Sequence, residues 1–279
     1  MQLHFLFREK ESNRVLPDKS KFEVFILSNL LTCIHRYVKI IPSLNYLWRF
    51  IVRIVFIRHG HPNYKGDCLT ELGHEQAKAA AEVLSAERPI KIYASPLGRA
   101  QETAEHIAKK LKMSIETLDF MREIGWGSIN GEPINRNGHP WYMADDLVTE
   151  GKSVMRDTWD IEEPFSNNTA VERVKTAYEN FDKMLAEYGY VREGYYYKVE
   201  KKCADTIFVV SHGGSSSAVI SHMLNVAFPH YCAMVRPDFT SITTLDLWGD
   251  EGSVIIPHVE VINDARHIKK ADEQATFDK

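Results

Sequence analysis

Two histidines in the sequence each stand between a short apolar run and a glycine. His59 lies in an Arg-His-Gly motif after the run 53–57, and His212 lies in a Ser-His-Gly-Gly motif after the run 205–210. Apolar, β-branched runs of this length are typical of buried parallel strands. Because ligands of open α/β sheets bind beyond the carboxyl ends of the strands, both imidazoles are expected to face one crevice. Neutral imidazole is a nucleophile that proteins use in covalent catalysis.

Two arginines are expected at the same end of the sheet. Arg58 directly precedes His59, and Arg99 lies at the start of a predicted helix that begins near Gly98. Guanidinium groups match phosphate oxygens with two parallel hydrogen bonds, and the helix N-termini after Gly98 and Gly213 add positive potential. The pattern predicts a pocket for a phosphate-like dianion with an imidazole nucleophile inside it.

Five blocks of sequence extend this pattern along the chain. They are Arg58-His59-Gly60, the stretch LTELGHEQA at 69–77, the stretch SPLGRAQETA at 95–104, Glu123 before Gly125, and Ser211-His212-Gly213-Gly214. In this order they resemble the histidine phosphatase (phosphoglycerate mutase-like) superfamily, and the resemblance covers residues 52–268. One three-residue motif would be unspecific, whereas five ordered blocks are specific. The resemblance implies an α/β fold, a three-layer sandwich with a mostly parallel central sheet.

The resemblance also implies a role for each site residue. His59 attacks phosphorus and becomes a transient phosphohistidine. Arg58, Arg99 and His212 hold the oxygens of the transferred phosphoryl group, where charge has to be stabilised. Glu123 protonates the leaving oxygen and then assists the water that attacks the phosphoenzyme, a task that needs a pKa raised toward neutrality. Neither a metal ion nor a cofactor is implied, because the arginines and helix termini supply the positive charge.

Some positions leave alternatives open. Glu116 and Asp119 are weaker candidates for the acid. Many family members carry an asparagine six positions after the nucleophile, whereas this chain has Lys65, so the auxiliary phosphate contact falls to either Asn63 or Lys65. The loop 60–69 is short compared with that of the phosphoglycerate mutases, which favours the phosphatase branch.

The pattern of the chain predicts the elements that position these residues. Strand, helix, strand, helix with short connections is typical of a doubly wound sheet. Thr70 is a predicted N-cap, and the helix after Gly98 has one apolar stripe. Predicted strands cover 53–57, 90–95, 205–210, 241–247 and 254–261, predicted helices cover 70–85, 98–111 and 171–185, and a tyrosine-rich hairpin covers 188–198.

A segment without regular periodicity, residues 125–168, is too long for a simple connection inside a domain. It is interpreted as a lid inserted into the domain, or a small subdomain. Its aromatic residues either stack on a substrate or form a satellite core, and core packing is favoured. These residues are Trp126, Trp141, Tyr142 and Trp159. The same preference applies to Tyr195, Tyr196 and Tyr197, for which the alternative is a subunit interface.

The composition is that of an ordinary globular protein. The chain has 279 residues, 44% hydrophobic and 26% charged, which excludes disordered and disulfide-scaffold classes. Residues 1–50 carry a net +4 and the remainder −8, and this acidic main body argues against nucleic acid as a partner. Four cysteines without a CxxC pair indicate free thiols in a reducing cytoplasm. The apolar run 24–34 is too short to span a bilayer, so no membrane partner is expected.

Residues 1–51 are interpreted as an N-terminal extension of doubtful status, because the family domain is expected over residues 52–268. No methionine follows the first residue until Met113, so one hypothesis is that translation starts near Val52 at another codon and that the extension is not part of the native protein. The alternative is a genuine membrane-surface or partner-binding extension. Residues 269–279 are polar and are predicted to form a flexible tail.

The predicted function is that of a metal-independent phosphomonoesterase acting on a small phosphorylated metabolite. A phosphoglycerate-type mutase is the first alternative, and a protein-binding or protein-phosphatase module is the second. A zinc amidohydrolase with His59 and His61 as ligands would need eight strand–helix units, and only about five strands are counted. A serine esterase would need a Gly-x-Ser-x-Gly motif, which the sequence lacks. The sequence predicts no oligomeric state.

Overall fold

The computed structural model describes residues 50–153 and 155–268 of the chain. The expectations for residues 1–49 and for the tail 269–279 lie outside the described residues. The strands in chain order are β1 (Ile51–Arg58), β2 (Pro62–Asn63), β3 (Cys68–Leu69), β4 (Lys91–Ala94), β5 (Ile115–Thr117), β6 (Tyr190–Glu193), β7 (Tyr196–Val199), β8 (Thr206–Ser211), β9 (Ile242–Trp248), β10 (Val254–Ile255) and β11 (His258–Asp264). The helices are α1 (Glu71–Leu84), α2 (Gly98–Leu111), α3 (Pro140–Thr149), α4 (Ala170–Glu187), α5 (Gly213–Met223) and α6 (Phe228–Met234).

Six strands form the central sheet in the order β11-β9-β1-β8-β4-β5. Strands β1, β8, β4 and β5 are parallel, whereas on the other side of β1 the strand β9 pairs antiparallel with β1, and β11 pairs antiparallel with β9. Ile57 of β1 is paired with Val210 of β8, so the residues that follow these strands emerge side by side. The sheet confirms the predicted fold class and brings the two histidine motifs to one edge.

The two faces of the sheet are covered by different helices. In β1, Ile54 and Phe56 pack into a core shared with α4 and α5, whereas Val55 and Ile57 pack into a core shared with α1 and α2. This alternation follows from the two-residue period of a strand. Central strands that are covered on both faces carry continuous apolar runs, as β1 does over 54–57 and β8 does over 207–210. The result is the predicted three-layer sandwich.

Helices α1 and α2 begin and pack as their sequences predict. The Thr70 hydroxyl accepts a hydrogen bond from the Gly73 backbone N–H at 3.1 Å, which caps α1. The apolar stripe of α2 is buried against the sheet, and Lys112 ends that helix in the left-handed conformation with φ 57°. The buried stripe of α2 comprises Ala100, Thr103, Ala104, Ile107 and Ala108.

Within the segment 125–168, the described residues include a kinked turn at Asn135–Gly138, where Arg136 and Asn137 have a left-handed φ of 51°, and the helix α3. Trp141 is 8% exposed and Trp159 is 3% exposed, and both belong to an apolar cluster with α4 and α6. Core packing is therefore confirmed for these two tryptophans. Trp126 is partly buried against the same cluster.

The tyrosines of the β6–β7 hairpin divide between core and solvent. Tyr197 is fully buried, whereas Tyr195 is 44% and Tyr196 is 49% exposed. Core packing was therefore the wrong expectation for Tyr195 and Tyr196. Side chains alternate along a strand, so Tyr196 and Tyr197 point to opposite faces, and Tyr195 lies at the turn.

A single strand over 254–261 was also a wrong expectation. Pro257 divides this segment, because proline has no N–H to donate to a ladder and its φ is fixed. β10 joins β7 and β6 in a separate three-stranded sheet, and β11 forms the edge of the central sheet. The short exposed strand β5 had no recognisable sequence pattern, so the count of about five strands was one too low for the central sheet.

No helix in the described part of the chain combines the length and apolar character that crossing a membrane requires.

Candidate active site

The site lies where β1 and β8 end. His59 directly follows β1, and its backbone N–H donates to the Ser211 carbonyl at the end of β8, at 2.9 Å. His212 follows β8 and precedes the first turn of α5. The two rings are 5.1 Å apart between centroids and meet edge to face, and the residues are 1% and 0% exposed. The fold therefore brings the two predicted imidazoles into direct contact.

The ring of His59 is fixed by its own chain. Nδ1 lies 2.7 Å from the Gly60 carbonyl oxygen. A carbonyl can only accept, so Nδ1 carries the proton and Nε2 has the lone pair. Arg99 Nε donates to this Nε2 at 3.3 Å. Burial, followed by the charges of Arg58, His212 and Arg99, lowers the pKa of His59 well below its usual range, so the ring is neutral at neutral pH.

The ring of His212 is bound through the opposite nitrogen. Nε2 lies 2.7 Å from the Ser95 hydroxyl, which follows the next strand of the sheet, β4. Nδ1 is buried and has no hydrogen-bond partner among the described residues. Burial and the charges of Arg99 and Arg58 lower the pKa of His212 well below its usual range. A buried polar atom without a partner is costly unless a ligand satisfies it.

Arg58 is held by neutral groups. Its Nη1 donates to the Pro237 carbonyl at 2.6 Å, and its guanidinium lies 4.2 Å from the centre of the Phe239 ring. Its Nε is buried and unpaired within the described residues. Burial lowers the pKa of Arg58, but a guanidinium stays charged in the physiological range. Arg58 thus places a positive charge beside the two histidines.

Arg99 lies in the first turn of α2 and is 7% exposed. Its Nη1 donates to Asp67 Oδ1 at 2.5 Å, and its Nε faces His59. The second oxygen of Asp67 accepts the backbone N–H of Gly98 at 2.8 Å. Arg99 is therefore clamped between a carboxylate and the imidazole.

Glu123 reaches the site from the 3₁₀ turn Asp119–Met121. Its Oε1 accepts the backbone N–H groups of Ile124, Gly214 and Ser215 at 2.9, 3.0 and 3.2 Å. A Cβ on Gly214 would lie 2.5 Å from this oxygen, so the second glycine of the motif makes room for the carboxyl group. Burial raises the pKa of Glu123, opposed by the backbone hydrogen bonds and by Arg58 and Arg99.

The other two candidate acids lie elsewhere. Glu116 is ion-paired with Lys91 on the exposed edge strand β5. The Asp119 side chain is 84% exposed and pairs with Arg122. Of the three carboxylates, Glu123 is the one that the fold brings to the start of α5, beside His212.

The loop 60–69 contains residues that the sequence left open or did not indicate. Asn63 Oδ1 accepts the Gly66 N–H at 3.3 Å, and Lys65 is exposed. A phosphate contact by either stays a prediction. Asp67 and Ser95 were not singled out, although both contact site residues. Ser95 is the first residue of the sequence block 95–104, which indicates that it is important, but nothing in that block indicates its partner His212.

The zinc amidohydrolase alternative is overturned by the fold, because the central sheet is open and its edge strands are β11 and β5. His61 Nδ1 lies 2.9 Å from the Thr70 hydroxyl, so this ring bonds the cap of α1. In the stretches 50–153 and 155–268, no three His, Cys, Asp or Glu side chains are grouped so that they could hold a metal ion. Metal independence stays a prediction.

Curated relatives match this chain over different lengths. A glucosyl-3-phosphoglycerate phosphatase from Mycobacterium tuberculosis is 35% identical over 88 residues, which are 28% of this chain and 40% of that protein. The matched part of the chain thus spans about two fifths of that relative's length. Phosphoserine phosphatase 1 from Hydrogenobacter thermophilus is 24% identical over 219 residues, which are 75% of this chain and 88% of that protein.

Solved structures share the fold. The native structure of a mycobacterial glucosyl-3-phosphoglycerate phosphatase has a TM-score of 0.52 and 24% identity, covering 76% of this chain and 99% of that one. A phosphoserine phosphatase mutant from Entamoeba histolytica, in complex with phosphoserine, has a TM-score of 0.52 and 20% identity, covering 78% and 100%. The family model of the histidine phosphatase superfamily (branch 1) matches residues 54–257. With most of the chain matched by that model, this protein belongs to the histidine phosphatase superfamily, branch 1.

Proposed function

We propose that this protein is a metal-independent phosphomonoesterase that hydrolyses a small phosphorylated metabolite through a phosphohistidine. The observation that carries the proposal is the state of His59. Its Nδ1 proton is held by the Gly60 carbonyl, and its Nε2 lone pair lies among Arg58, Arg99 and His212. A neutral imidazole nucleophile in a cationic pocket suits attack on a phosphate dianion.

In the first half-reaction, His59 Nε2 forms a bond to phosphorus and the bond from phosphorus to the ester oxygen breaks. Protonated Glu123 gives its proton to that leaving oxygen, which departs as an alcohol. The raised pKa of Glu123 supports this role, because the group must hold a proton near neutral pH. Arg58, Arg99 and His212 donate to the equatorial oxygens as their charge is redistributed.

In the second half-reaction, water attacks the phosphohistidine. The Glu123 carboxylate takes a proton from that water, the bond between phosphorus and Nε2 breaks, and inorganic phosphate leaves. His59 is again neutral and Glu123 is again protonated, so the cycle closes without a redox partner or a cofactor. Glu123 thus acts as acid and then as base, a reversal that one carboxyl group of raised pKa can perform.

The substrate class follows from the relatives. Their names state glucosyl-3-phosphoglycerate and phosphoserine as substrates, and both are small phosphorylated metabolites. These names also favour hydrolysis over a mutase reaction. Three cysteines, Cys68, Cys203 and Cys232, are free thiols in the structure, which supports a reducing compartment such as the cytoplasm. The net negative charge of the acidic main body argues against nucleic acid as a binding partner.

Hydrolysis of an aryl phosphate in the presence of a chelator tests the proposal. We expect wild-type protein and the control His258→Ala, which removes an exposed ring stacked on Trp248, to release phosphate. His59→Ala should release none. Activity that survives in His59→Ala, or that disappears with the chelator, would contradict the proposal. Interconversion of phosphoglycerate isomers without phosphate release would favour the mutase instead.

A further inference from the structure

We infer that Asp67 is a positioning residue, whose carboxylate holds the Arg99 guanidinium beside the nucleophilic Nε2 of His59, where it is placed to donate to the oxygens of the phosphoryl group. The inference rests on the proposed function, since it assigns Asp67 a task at the same site. Asp67 does not contact the nucleophile itself and acts through Arg99.

The first support is the geometry of the carboxylate. One Asp67 oxygen accepts Nη1 of Arg99 at 2.5 Å, and the other accepts the Gly98 backbone N–H at 2.8 Å. With both oxygens engaged, the carboxylate plane is fixed relative to the first turn of α2. Arg99 Nε then lies 3.3 Å from His59 Nε2. Charge-assisted hydrogen bonds such as the one between Asp67 and Arg99 are short and directional.

The second support is the exposure of the two partners. The Arg99 side chain is 9% exposed, whereas that of Asp67 is 41% exposed. Asp67 therefore lies on the solvent side of the guanidinium and Arg99 on the site side. An arginine has a long flexible side chain, and fixing it costs conformational entropy. If the side chain is already ordered before substrate binds, the reaction does not have to supply that free energy. The carboxylate supplies this order from the side that faces away from His59.

The third support is the backbone that delivers Asp67. Asp67 adopts φ 48°, a left-handed conformation that is uncommon outside glycine, asparagine, aspartate and histidine. A Cβ on Gly98 would lie 2.1 Å from the Asp67 carbonyl oxygen, so the loop approaches α2 as closely as glycine permits. Unfavourable backbone conformations persist where the surrounding structure fixes them, often at functional sites.

A purely structural role for Asp67 is the competing explanation, because a second carboxylate also fastens this loop to α2. Glu102 Oε2 accepts the Leu69 backbone N–H at 2.6 Å. Glu102 thus holds the loop through the backbone of Leu69, which makes it a matched comparison. If Asp67 merely fastens the loop, loss of either carboxylate should lower activity to the same extent. If Asp67 positions Arg99, loss of Asp67 should lower activity more than loss of Glu102.

The test compares Asp67→Asn, Glu102→Gln, Arg99→Ala and the double variant Asp67→Asn/Arg99→Ala, with Asp250→Asn as a surface control. Aryl phosphate kinetics and thermal unfolding are measured for each. We expect Asp67→Asn to lower kcat/KM by about tenfold to a hundredfold, and Glu102→Gln to lower it by less than about threefold. In the Arg99→Ala background, Asp67→Asn should have no further effect. Asp67→Glu should restore part of the loss, because it restores the charge.

Equal losses for Asp67→Asn and Glu102→Gln would overturn the inference, and so would a loss from Asp67→Asn that persists without Arg99. A titration with inorganic phosphate, monitored through the ¹⁵N signal of the His59 ring, distinguishes failure of the inference on Asp67 from failure of the proposed function. Wild-type protein that binds phosphate but does not turn over an aryl phosphate refutes the function alone. In that case Asp67→Asn should still weaken phosphate binding about tenfold, and unchanged binding would refute the role of Asp67.

Discussion

His59 and His212 end neighbouring parallel strands and are each followed by glycine, yet opposite ring nitrogens are bound. His59 is held through Nδ1 by a backbone carbonyl, whereas His212 is held through Nε2 by the hydroxyl of Ser95. A carbonyl only accepts, so it fixes the tautomer of His59 and leaves a lone pair on Nε2. A hydroxyl both donates and accepts, so His212 can present a proton from Nδ1 when Ser95 donates. In the proposed mechanism, the carbonyl partner suits His59 to act as the nucleophile, and the hydroxyl partner suits His212 to act as a hydrogen-bond donor.

The largest effect is expected from His59→Asn. Without the Nε2 lone pair no phosphohistidine forms, and kcat/KM should fall by roughly 10⁴-fold or more, as for other lost nucleophiles. Alkali-quenched mixtures with labelled substrate should contain phosphoenzyme for wild type and none for this variant, because phosphohistidine is stable in alkali and hydrolyses in acid. A labelled phosphoenzyme in His59→Asn would break the comparison by placing the nucleophile elsewhere.

His212→Ala should be less damaging and different in kind. It removes a donor to the transferred phosphoryl group, which typically costs about 10²- to 10³-fold in rate. Since the nucleophile remains, a phosphoenzyme should still form, only more slowly. Rapid-quench measurement of its formation rate checks this. A complete absence of phosphoenzyme in His212→Ala would make the two histidines equivalent and contradict their separation.

Glu123→Gln should change the pH profile and the dependence on the leaving group. The rate of the first half-reaction needs neutral His59 and protonated Glu123. It should therefore rise with pH through the lowered pKa of His59, below the usual imidazole range, and fall through the raised pKa of Glu123. Glu123→Gln should remove the alkaline limb of kcat/KM. The loss should be about 10²-fold or more for alkyl phosphates and much smaller for nitrophenyl phosphate, which needs no acid.

The matched control for Glu123→Gln is Glu116→Gln, which removes an exposed carboxylate paired with Lys91. Its pH profile should be that of wild type. An alkaline limb that persists in Glu123→Gln would assign that limb to another group.

The smallest effect is expected from Ser95→Ala, which sharpens the comparison most directly. It removes the partner of His212 Nε2 and leaves that nitrogen buried, for a loss of about fivefold to tenfold in kcat/KM, the value of roughly one hydrogen bond. Ser217→Ala is the matched control, because the Ser217 hydroxyl is buried without a hydrogen-bond partner in the described residues. Kinetics of both variants check this. Equal effects would show that Ser95 contributes only packing.

The parts of the site that could be predicted from the sequence are those that single strands and helices determine. The apolar runs before His59 and His212 predict parallel strands, and the carboxyl ends of parallel strands meet at one edge. Arg99 follows from its place at a helix start. Each of these residues is positioned by the element that carries it, so local pattern was sufficient.

The partners of those residues could not be predicted, because they come from distant parts of the chain. Ser95 bonds a histidine 117 positions away, and Pro237 bonds Arg58 at a separation of 179. Asp67 contacts Arg99 from a left-handed turn that the sequence pattern does not indicate. The division of 254–261 into β10 and β11 was missed although Pro257 marks it, since the apolar residues on both sides suggested one continuous strand.

The position of β8 has a consequence for how the protein folds. This strand comes late in the chain but lies between β1 and β4, two strands of the first half that do not touch each other in the sheet. A nascent chain that ends before β8 therefore leaves the facing edges of β1 and β4 unpaired and lacks His212. Contacts of such large sequence separation close slowly. In refolding, helical signal should return first and phosphatase activity last, when β8 enters the gap and joins the two histidines.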